Sequence, residues 1–449
     1  MKKKLFGTDG IRGKANQYPI TPEIAMLVGK ATAKVLGGGS GHKRVVLGKD
    51  TRISGYMLEN AITSGLLSMG MDVLAVGPMP TPAVAHLTRS MGAVCGIMIT
   101  ASHNPACDNG IKIFAEDGFK LPDSVELEIE KEMLEGTLAE EGVPCENIGK
   151  AYRIEDARGR YIEYAKGSIQ NLSLRGLRIV LDCANGAAYS IAPLIFRELG
   201  AEVIETAVRP DGLNINDGCG ALYPENIGRL VREHRADAGI ALDGDADRVI
   251  FCDANGEEVN GDRIIGMLAL AYQRERKLAS DTIVVTGMSN LGLMRAMKQV
   301  GINVEVTDVG DRYVIERMRG GSFNVGGEQS GHIIFMDYAT TGDGIISALH
   351  VLKLMKQTGK PLAELAGFMN VFPQEIRSFG VARKTPFAEL SRLPAEIDAC
   401  REALGESGRT IVRYSGTENK IRILVEAEQS DDVRVWIERL SAAAREELN

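Results

Sequence analysis

Apolar runs of strand length recur along the chain, and each is followed by a turn and a helix-like stretch. Such runs begin at Arg44 (RVVLGKDTR), Leu177 (LRIVLDCANG) and Thr282 (TIVVTGMSNLG). Their continuous apolar character predicts buried parallel strands. The order of strand, turn, helix and strand predicts a right-handed crossover in each copy.

A further apolar strand follows in each copy and ends in a polar, glycine-bearing loop. The loops lie in GIMITASHNP, GIALDGDADR and NVGGEQSGH, and each leads into another apolar run that reaches a turn. Ligands gather at the carboxyl ends of strands in α/β sheets, so three such loops are expected to converge on one cleft. The alternative is that three unrelated α/β segments share this pattern by chance. From about Ser378 the pattern changes to helix-like stretches and one strand–loop–strand feature, which predicts a small α+β closing domain.

Composition narrows the class of protein. The chain has 449 residues, and 52 basic against 60 acidic side chains give a net charge of −8. At about 150 residues per domain the length favours several domains, and the acidic balance argues against nucleic-acid binding through net charge. No apolar stretch is long enough to cross a bilayer, and MKKKLFGTDG lacks the apolar core of a secretory signal. The seven cysteines form no CxxC pair, which predicts reduced thiols and a cytoplasmic protein.

The loop Asp243-Gly244-Asp245-Ala246-Asp247-Arg248 carries carboxylates at three alternate positions. Mg²⁺ prefers such hard oxygen ligands, completed by phosphate or water. An EF-hand is excluded, because its sixth and twelfth positions would be Arg248 and Ala254 rather than Gly and Glu. The alternative is a solvated acidic turn. Crowded carboxylates repel one another without a cation, and this favours a metal site.

The loop Thr100-Ala101-Ser102-His103-Asn104-Pro105 offers a serine at a turn. Such a serine can cap a helix or act as a nucleophile. No Ser-His-acid triad follows from the spacing and GxSxG is absent, so the cap remains an alternative. His103 alone is weak evidence, whereas a phosphate on Ser102 would supply the oxygen that a site with three carboxylates lacks.

Two later loops suit a sugar and a phosphate. GGEQSGH, Gly326 to His332, combines glycines with short polar side chains that fit the hydroxyls and amine of a sugar, although a glycine-rich turn without a ligand is the alternative. It does not fit the P-loop pattern. RYSGTEN, Arg413 to Asn419, offers a guanidinium, hydroxyls and backbone N–H groups to a phosphate. Arg422 on the next strand could add charge to this loop. Arg12 and Lys112 are further cations, either of which could equally form a surface salt bridge.

Taken in order, TASHNP, DGDADR, GEQSGH and RYSGTEN resemble the loops of the α-D-phosphohexomutase family, and the resemblance spans nearly the whole chain. It implies an α/β protein with three similar mixed α/β domains (1–155, 156–257 and 258–371) and a smaller α+β C-terminal domain (372–449) around a central active-site cleft. GEQSGH and FGTDGIRG resemble the members that act on glucosamine phosphates. Members acting on mannose and glucose phosphates more often carry Met at Gln329. The chain departs from the family at Tyr414 and Asn419, where a small residue or Pro and a Pro are common.

The resemblance also implies roles for individual residues. Ser102 would carry the transferable phosphate and would hold Mg²⁺ together with Asp243, Asp245 and Asp247. Glu328 and Ser330 would bind the sugar, and the non-reacting phosphate would be bound by Arg413, Ser415, Gly416 and Thr417, with Arg422 nearby. The moving phosphoryl group would be stabilised by Arg12, Lys112 and Arg248. Proton transfer would be carried out by His103, Lys112 or His332.

The activity implied is an isomerase reaction that interconverts glucosamine 6-phosphate and glucosamine 1-phosphate. It would pass through glucosamine 1,6-bisphosphate and would feed the synthesis of UDP-N-acetylglucosamine and cell-wall precursors. A mutase acting on mannose or glucose phosphates is the nearest alternative. A phosphatase and a non-catalytic sugar-phosphate sensor are two further ones. The expected partners are a small sugar phosphate and, in a homodimer, a second copy of the chain, with no nucleic acid and no membrane.

Overall fold

The computed structural model describes residues 3–7, 9–37, 43–415 and 419–448, and the chain divides into two units. One unit comprises residues 1–288 with 302–368, and the other comprises 289–301 with 369–449. Within the described residues the first unit contains three sheets and the second contains one.

The first sheet has seven strands in the order β1-β2-β6-β5-β3-β4-β7. Its elements in chain order are β1 Phe6–Gly7, β2 Gly10–Lys14, α1 Pro22–Leu36, β3 Arg44–Lys49, α2 Ser54–Ser68, β4 Asp72–Pro78, α3 Thr81–Ser90, β5 Cys95–Ile99, β6 Asp108–Ala115, α4 Asp123–Leu134 and β7 Ala151–Arg153.

The second sheet has five strands in the order β12-β11-β10-β8-β9. Its region contains α5 Ala157–Ser168, β8 Arg178–Asp182, α6 Ala192–Glu198, β9 Glu202–Thr206, α7 Pro224–His234, β10 Ala238–Leu242, β11 Val249–Asp253 and β12 Glu258–Val259.

The third sheet has four strands in the order β14-β13-β15-β16. The elements of this stretch are α8 Gly261–Arg274, β13 Thr282–Thr286, α9 Leu291–Gln299, β14 Asn303–Thr307, α10 Asp311–Gly321, β15 Val325–Gly327, β16 Ile333–Phe335, α11 Gly344–Thr358 and α12 Leu362–Ala366. Helix α9 falls in the second unit although the strands on either side of it fall in the first.

One strand arrangement repeats in the three sheets of the first unit. In each sheet a central strand (β3, β8 or β13) pairs in parallel with two neighbours. A final strand (β6, β11 or β16) then returns antiparallel to the last parallel strand. Each polar loop joins the last parallel strand to this antiparallel strand, and the predicted repeat is therefore confirmed. Strands β5, β10 and β13 are buried along their whole length, because both faces of such sheets are covered.

The second unit contains a three-stranded antiparallel sheet in the order β17-β19-β18. Its further elements are β17 Gln374–Gly380, α13 Arg392–Leu404, β18 Gly408–Tyr414, β19 Lys420–Ala427 and α14 Ser430–Leu448. A cluster of buried side chains that includes Leu393, Ile423 and Trp436 forms its core. The expected α+β character of the C-terminal region is confirmed.

Two expectations drawn from composition also have structural outcomes. All seven cysteines are free thiols. None of the helices in the described ranges combines the length and the apolar character that a membrane span needs.

Candidate active site

Ser102 lies in the turn between β5 and β6 and is 1 % exposed. Its backbone adopts φ +51°, in the left-handed region, and its N–H donates to Thr100 Oγ1 at 2.9 Å. Its hydroxyl donates to Asp243 Oδ2 at 2.6 Å. No helix begins at this turn, so the helix-cap alternative is wrong. The serine hydroxyl instead contacts the acidic loop 141 positions further along the chain.

Arg52, which the sequence analysis missed, holds the serine loop in shape. Its side chain is fully buried, and its guanidinium donates to the carbonyl groups of Ser102 at 2.9 Å, Asn104 at 2.8 Å and Asp108 at 3.1 Å. Asp50 Oδ2 accepts from Arg52 Nε at 2.8 Å. The planar, multiply donating guanidinium suits this task because one rigid group satisfies several carbonyls of the same loop.

The acidic loop joins β10 to β11 and brings three carboxylates together. Asp243, Asp245 and Asp247 are all buried, and one oxygen from each lies within 4.8 Å of the others. The solvated-turn alternative is therefore wrong. Asp245 Oδ1 and Asp247 Oδ1 are buried without a hydrogen-bond partner. Unsatisfied, convergent carboxylate oxygens fit a hard divalent cation such as Mg²⁺.

The electrostatics of the cluster point the same way. Burial, and then the negative charges of Asp247 and Asp245, raise the pKa of Asp243 well above its usual value. Burial also raises the pKa of Asp245, but the Lys112 ammonium and the Thr81 hydroxyl outweigh it and leave that pKa below its usual value. Placing three carboxylates together in a buried site costs free energy that a bound cation would offset.

Lys112 on β6 provides the cation that faces this cluster. Its Nζ lies 3.0 Å from Asp245 Oδ2, 3.2 Å from Asp247 Oδ2 and 3.2 Å from Asp9 Oδ2. Burial lowers the pKa of Lys112, yet the surrounding carboxylates raise it well above its usual value. The surface-salt-bridge alternative is wrong for Lys112, because the side chain is 2 % exposed.

Arg12 reaches the same region from β2. It pairs with Asp9, and its Nη1 lies 3.5 Å from the carbonyl of Ala101 in the serine loop. Asp9 thus contacts two of the cations predicted from the sequence. Burial raises the pKa of Asp9, but Lys112, Lys120 and Arg12 together hold it well below its usual value.

His103 brings an imidazole close to Ser102, and Arg248 brings a guanidinium close to His103. Arg248 Nη1 donates to His103 Nδ1 at 3.0 Å. His103 Nδ1 also lies 3.3 Å from Ser102 Oγ. Burial, and then the positive charge of Arg248, lower the pKa of His103 to about 4. His103 is therefore neutral at physiological pH, which agrees with an Nδ1 that accepts from Arg248.

Residues 328–332, which the sequence predicts to bind sugar and which are called the sugar loop below, join β15 to β16. This loop lies next to the acidic loop, where His332 forms a backbone bridge with Arg248. Glu328 is half-buried and its Oε1 accepts from Gly310 N–H at 3.2 Å, whereas Ser330 is exposed. His332 is 2 % exposed, and its Nε2 lies 3.4 Å from Asp311 Oδ2 and 3.8 Å from Asp247 Oδ2. At Gly331, where φ is +91°, this loop passes close to the start of β11. A Cβ atom there would lie 2.3 Å from the carbonyl oxygen of Val249.

Within the second unit, the predicted phosphate loop joins β18 to β19. Arg413 and Arg422 are paired across these strands, and Ser415 N–H donates to the carbonyl of Lys420 at 2.8 Å. Gly416 and Thr417 lie outside the described residues. Tyr414, where the chain departs from the family, donates its hydroxyl to the carbonyl of Thr385 at 2.6 Å, and its ring stacks on Phe387 with 5.1 Å between centroids.

The first unit therefore brings together nine of the predicted residues, and it adds five polar side chains that the four loop motifs do not contain. The residues brought together are Arg12, Ser102, His103, Lys112, Asp243, Asp245, Asp247, Arg248 and His332. The additional groups are Asp9, Arg52, Thr81, Lys120 and Asp311. Asp9 lies inside the quoted FGTDGIRG segment and could have been found there, whereas the other four stand outside the four loop motifs.

A repeated α/β fold with a buried serine against three carboxylates is the architecture of a phosphohexomutase. Family models described as phosphoglucomutase/phosphomannomutase match the chain in four parts. The α/β/α domains I, II and III match residues 3–140, 159–256 and 260–372, and the C-terminal domain matches residues 375–443. The chain belongs to the phosphoglucomutase/phosphomannomutase family, and the resemblance read from its loops is confirmed.

Relatives of known name cover almost the whole chain. A phosphoglucosamine mutase of Syntrophotalea carbinolica is 53 % identical over 435 residues, covering 96 % of this chain and 95 % of its own. One of Pelobacter propionicus is 51 % identical and covers 99 % of each chain. Among solved structures, a family member from Burkholderia thailandensis aligns with a TM-score of 0.82 at 23 % identity, covering 99 % of this chain and 98 % of its own. The Aspergillus fumigatus N-acetylphosphoglucosamine mutase, solved with GlcNAc-6P and magnesium, aligns with a TM-score of 0.68 at 20 % identity, covering 100 % and 96 %. These two structures support the fold.

Proposed function

We propose that the protein interconverts glucosamine 6-phosphate and glucosamine 1-phosphate by transferring a phosphoryl group through Ser102. The observation that carries the proposal is the 2.6 Å hydrogen bond from Ser102 Oγ to Asp243 inside a buried cluster of three carboxylates. The substrate is supported by relatives at about 50 % identity that are named phosphoglucosamine mutases. The product would feed UDP-N-acetylglucosamine and cell-wall precursor synthesis.

Asp243, Asp245, Asp247 and an oxygen carried by Ser102 would hold Mg²⁺. The orphaned Oδ1 atoms of Asp245 and Asp247 support this assignment. When bound, Mg²⁺ supplies positive charge that stabilises the oxygens of the transferring phosphoryl group. Arg12, Lys112 and Arg248 would add fixed cations around that group, where preorganised charge contributes most to phosphoryl transfer.

The reaction would proceed in two balanced transfers. In the first, a free sugar hydroxyl attacks the phosphorus of phosphoserine 102. A P–O bond to the sugar forms as the bond to Oγ breaks, and the hydroxyl proton passes to a base. The product, glucosamine 1,6-bisphosphate, then reverses its orientation in the cleft so that its other phosphate faces Ser102. In the second transfer Ser102 Oγ attacks the other phosphorus, the P–O bond to the sugar breaks, and the base returns its proton to the released sugar oxygen, which regenerates phosphoserine and releases the isomer.

The proposed candidates for proton transfer are His103, Lys112 and His332. His103 is supported by its Nδ1, 3.3 Å from Ser102 Oγ. Glu328 and Ser330 would bind sugar hydroxyls. The phosphate that does not react would be bound by Arg413, Ser415, Gly416, Thr417 and Arg422.

The chain would work as four domains, 1–155, 156–257, 258–371 and 372–449, around a central cleft. Closure of the last domain would keep water from hydrolysing phosphoserine. We further propose a cytoplasmic protein with no nucleic-acid partner, and a homodimer as its assembly. A sedimentation measurement on the purified chain would test the last point.

A phosphorus NMR time course tests the function. Glucosamine 6-phosphate, Mg²⁺ and a trace of the 1,6-bisphosphate are incubated with wild type or Ser102→Ala. Growth of glucosamine 1-phosphate with wild type alone is the expected result. Growth of inorganic phosphate would instead indicate a phosphatase, and binding without turnover would indicate a sensor. Turnover of mannose or glucose phosphates in place of glucosamine phosphates would favour the alternative mutase, and full activity of Ser102→Ala would overturn the phosphoserine mechanism.

A further inference from the structure

Lys120 bridges two partly buried carboxylates at the edge of the candidate active site. Its Nζ lies 2.5 Å from Asp9 Oδ1 and also pairs with Asp311. The Lys120 side chain is 9 % exposed, so water screens these contacts little. The resemblance assigns no role to Lys120, Asp9 or Asp311, although Asp9 lies in the FGTDGIRG segment.

Asp9 links Lys120 to the cations proposed to face the phosphoryl group. Asp9 Oδ1 accepts from Lys120, while its Oδ2 lies 3.2 Å from Lys112 Nζ and pairs with Arg12. Asp9 follows β1 and precedes β2, in the short connection of a hairpin. A single carboxylate therefore fixes the relative positions of three cations.

Asp311 links Lys120 to the sugar loop. Asp311 Oδ2 lies 3.4 Å from Nε2 of His332. Asp311 is the first residue of α10, and the N–H of the preceding Gly310 donates to Glu328 Oε1 at 3.2 Å. The Asp311 carboxylate thus lies beside a proton-transfer candidate, and the preceding backbone N–H contacts a residue proposed to bind sugar.

The same face carries contacts that do not involve Lys120. Lys120 belongs to the part matched by domain I of the family, and Asp311 to the part matched by domain III. Arg319 Nη2 lies 3.4 Å from Asp117 Oδ2, and Thr340 Oγ1 donates to the carbonyl of Gly118 at 2.6 Å. The two parts therefore keep docking contacts when Lys120 is replaced.

We infer that Lys120 is a positioning residue that couples the sugar loop to the cations of phosphoryl transfer. Without its charge, Asp9 and Asp311 would each lose a cation partner, and the repulsion between the two carboxylates would drive them to move apart or rearrange. Arg12, Lys112 and His332 would move with them. A displacement of about 1 Å among groups that orient a reaction can cost about 100-fold in rate. The inference rests on the proposed mutase activity.

The first test compares Lys120→Met with two matched controls on purified full-length protein. We expect the kcat of Lys120→Met to fall about 10- to 100-fold. Arg319→Gln removes an exposed ion pair from the same docking face, and Lys30→Met removes a buried lysine that donates to the carbonyls of residues 138, 139 and 141. Both controls should keep the wild-type kcat. A thermal midpoint lowered equally in Lys30→Met and Lys120→Met, with kcat lowered in neither, would reduce Lys120 to a structural residue and overturn the inference.

The second test is a double-mutant cycle on kcat. A merely structural role of Lys120 would not change the coupling that this cycle measures. When Lys120 is present, the fold-change in kcat of the double variant Asp9→Asn with Asp311→Asn should differ about fivefold or more from the product of the two single fold-changes. The two effects should become independent in the Lys120→Met background. Independent effects in both backgrounds would overturn the coupling. If wild type turns over glucose or mannose phosphate instead of glucosamine phosphate, the substrate proposal fails, and the same cycle run on that substrate still decides the role of Lys120.

Discussion

Thr81 and Asp245 are joined by two hydrogen bonds, one from the side chain and one from the backbone of Thr81. Thr81 Oγ1 donates to Asp245 Oδ2 at 2.6 Å, and Thr81 N–H donates to the Asp245 carbonyl at 2.9 Å. Asp245 Oδ2 also contacts Lys112 Nζ at 3.0 Å. Because this oxygen is already engaged, the orphaned Oδ1 is the one that remains for a cation. The first residue of α3 therefore orients an acid that belongs to the next sheet.

This relationship predicts that Thr81→Val weakens Mg²⁺ binding although Thr81 would not touch the metal. Loss of a hydrogen bond to a ligating carboxylate typically costs about 10- to 100-fold in metal affinity. The Mg²⁺ concentration for half-maximal activity should rise accordingly. Thr88→Val is the matched control, since Thr88 is buried in the same helix and its hydroxyl donates only to the carbonyl of Val84 at 2.8 Å. Equal Mg²⁺ dependence in the two variants would count against the orienting role.

A direct test of the cluster is Asp245→Asn. We expect a lower Mg²⁺ affinity and a lower rate together, because the amide supplies less charge to the cation than the carboxylate does. Asp253→Asn at the other end of β11 is the control, since Asp253 Oδ1 accepts backbone N–H bonds that an amide oxygen can also accept. Mg²⁺ titration of activity provides the measurement. Unchanged Mg²⁺ dependence in Asp245→Asn would remove this residue from the metal site.

The sequence predicted the parts of the site that are local in the chain. The repeated strands and their loops follow from short apolar runs, because buried parallel strands need continuous apolar character. The contact between Ser102 and Asp243 spans 141 positions, and neither loop alone shows that the two would meet. That expectation came from the repeat, from the oxygen that a phosphate on Ser102 would add to the three carboxylates, and from the family resemblance. The serine turn also shows a limit of local pattern, since a Ser followed by polar residues fits both a helix cap and this strand connection.

Isolated charged residues could not be found in this way. Lys120 and Asp311 stand 191 positions apart, and neither has a neighbouring motif that marks it. Their roles depend on how the first and third sheets are placed, which no short sequence pattern encodes. Helix α9 is a similar case. Its strand neighbours predict a crossover helix, yet Leu291 N–H donates to Glu426 Oε1 of the C-terminal sheet at 2.8 Å, within the second unit.

The clamp on the serine loop predicts a loss of both stability and activity in Arg52→Met. Removing one partner of a buried ion pair typically costs about 3–5 kcal/mol, because the remaining charge is left unpaired. Here Asp50 and the carbonyls of residues 102, 104 and 108 would all lose donors. Urea unfolding should show the loss. Arg197→Met removes an exposed pair with Glu205 and should cost at most about 1 kcal/mol. Similar values for the two variants would contradict the clamp.

Asp343 predicts a pH dependence of stability that is separate from the metal cluster. It caps α11 through Ile346 N–H at 2.9 Å and accepts from the Tyr161 hydroxyl, and burial raises its pKa from about 3.8 to about 6. A carboxyl with a raised folded-state pKa binds more protons when folded, so its contribution to stability is fully present below about pH 4 and is lost as the pH rises through about 6. A shift of about two pKa units corresponds to about 3 kcal/mol.

Asp343→Asn should therefore remove this pH dependence while keeping an acceptor for the helix cap. Wild type and variant should have similar thermal midpoints near pH 4, and the variant should gain relative to wild type as the pH rises from 4 to 7. Other titrating groups cancel in the difference between the two proteins, so the difference isolates Asp343. Asp156→Asn is the control, because Asp156 is exposed and its partner Arg160 lies at the surface of α5. A constant difference between wild type and Asp343→Asn over this pH range would show that the Asp343 carboxyl titrates at its ordinary pKa.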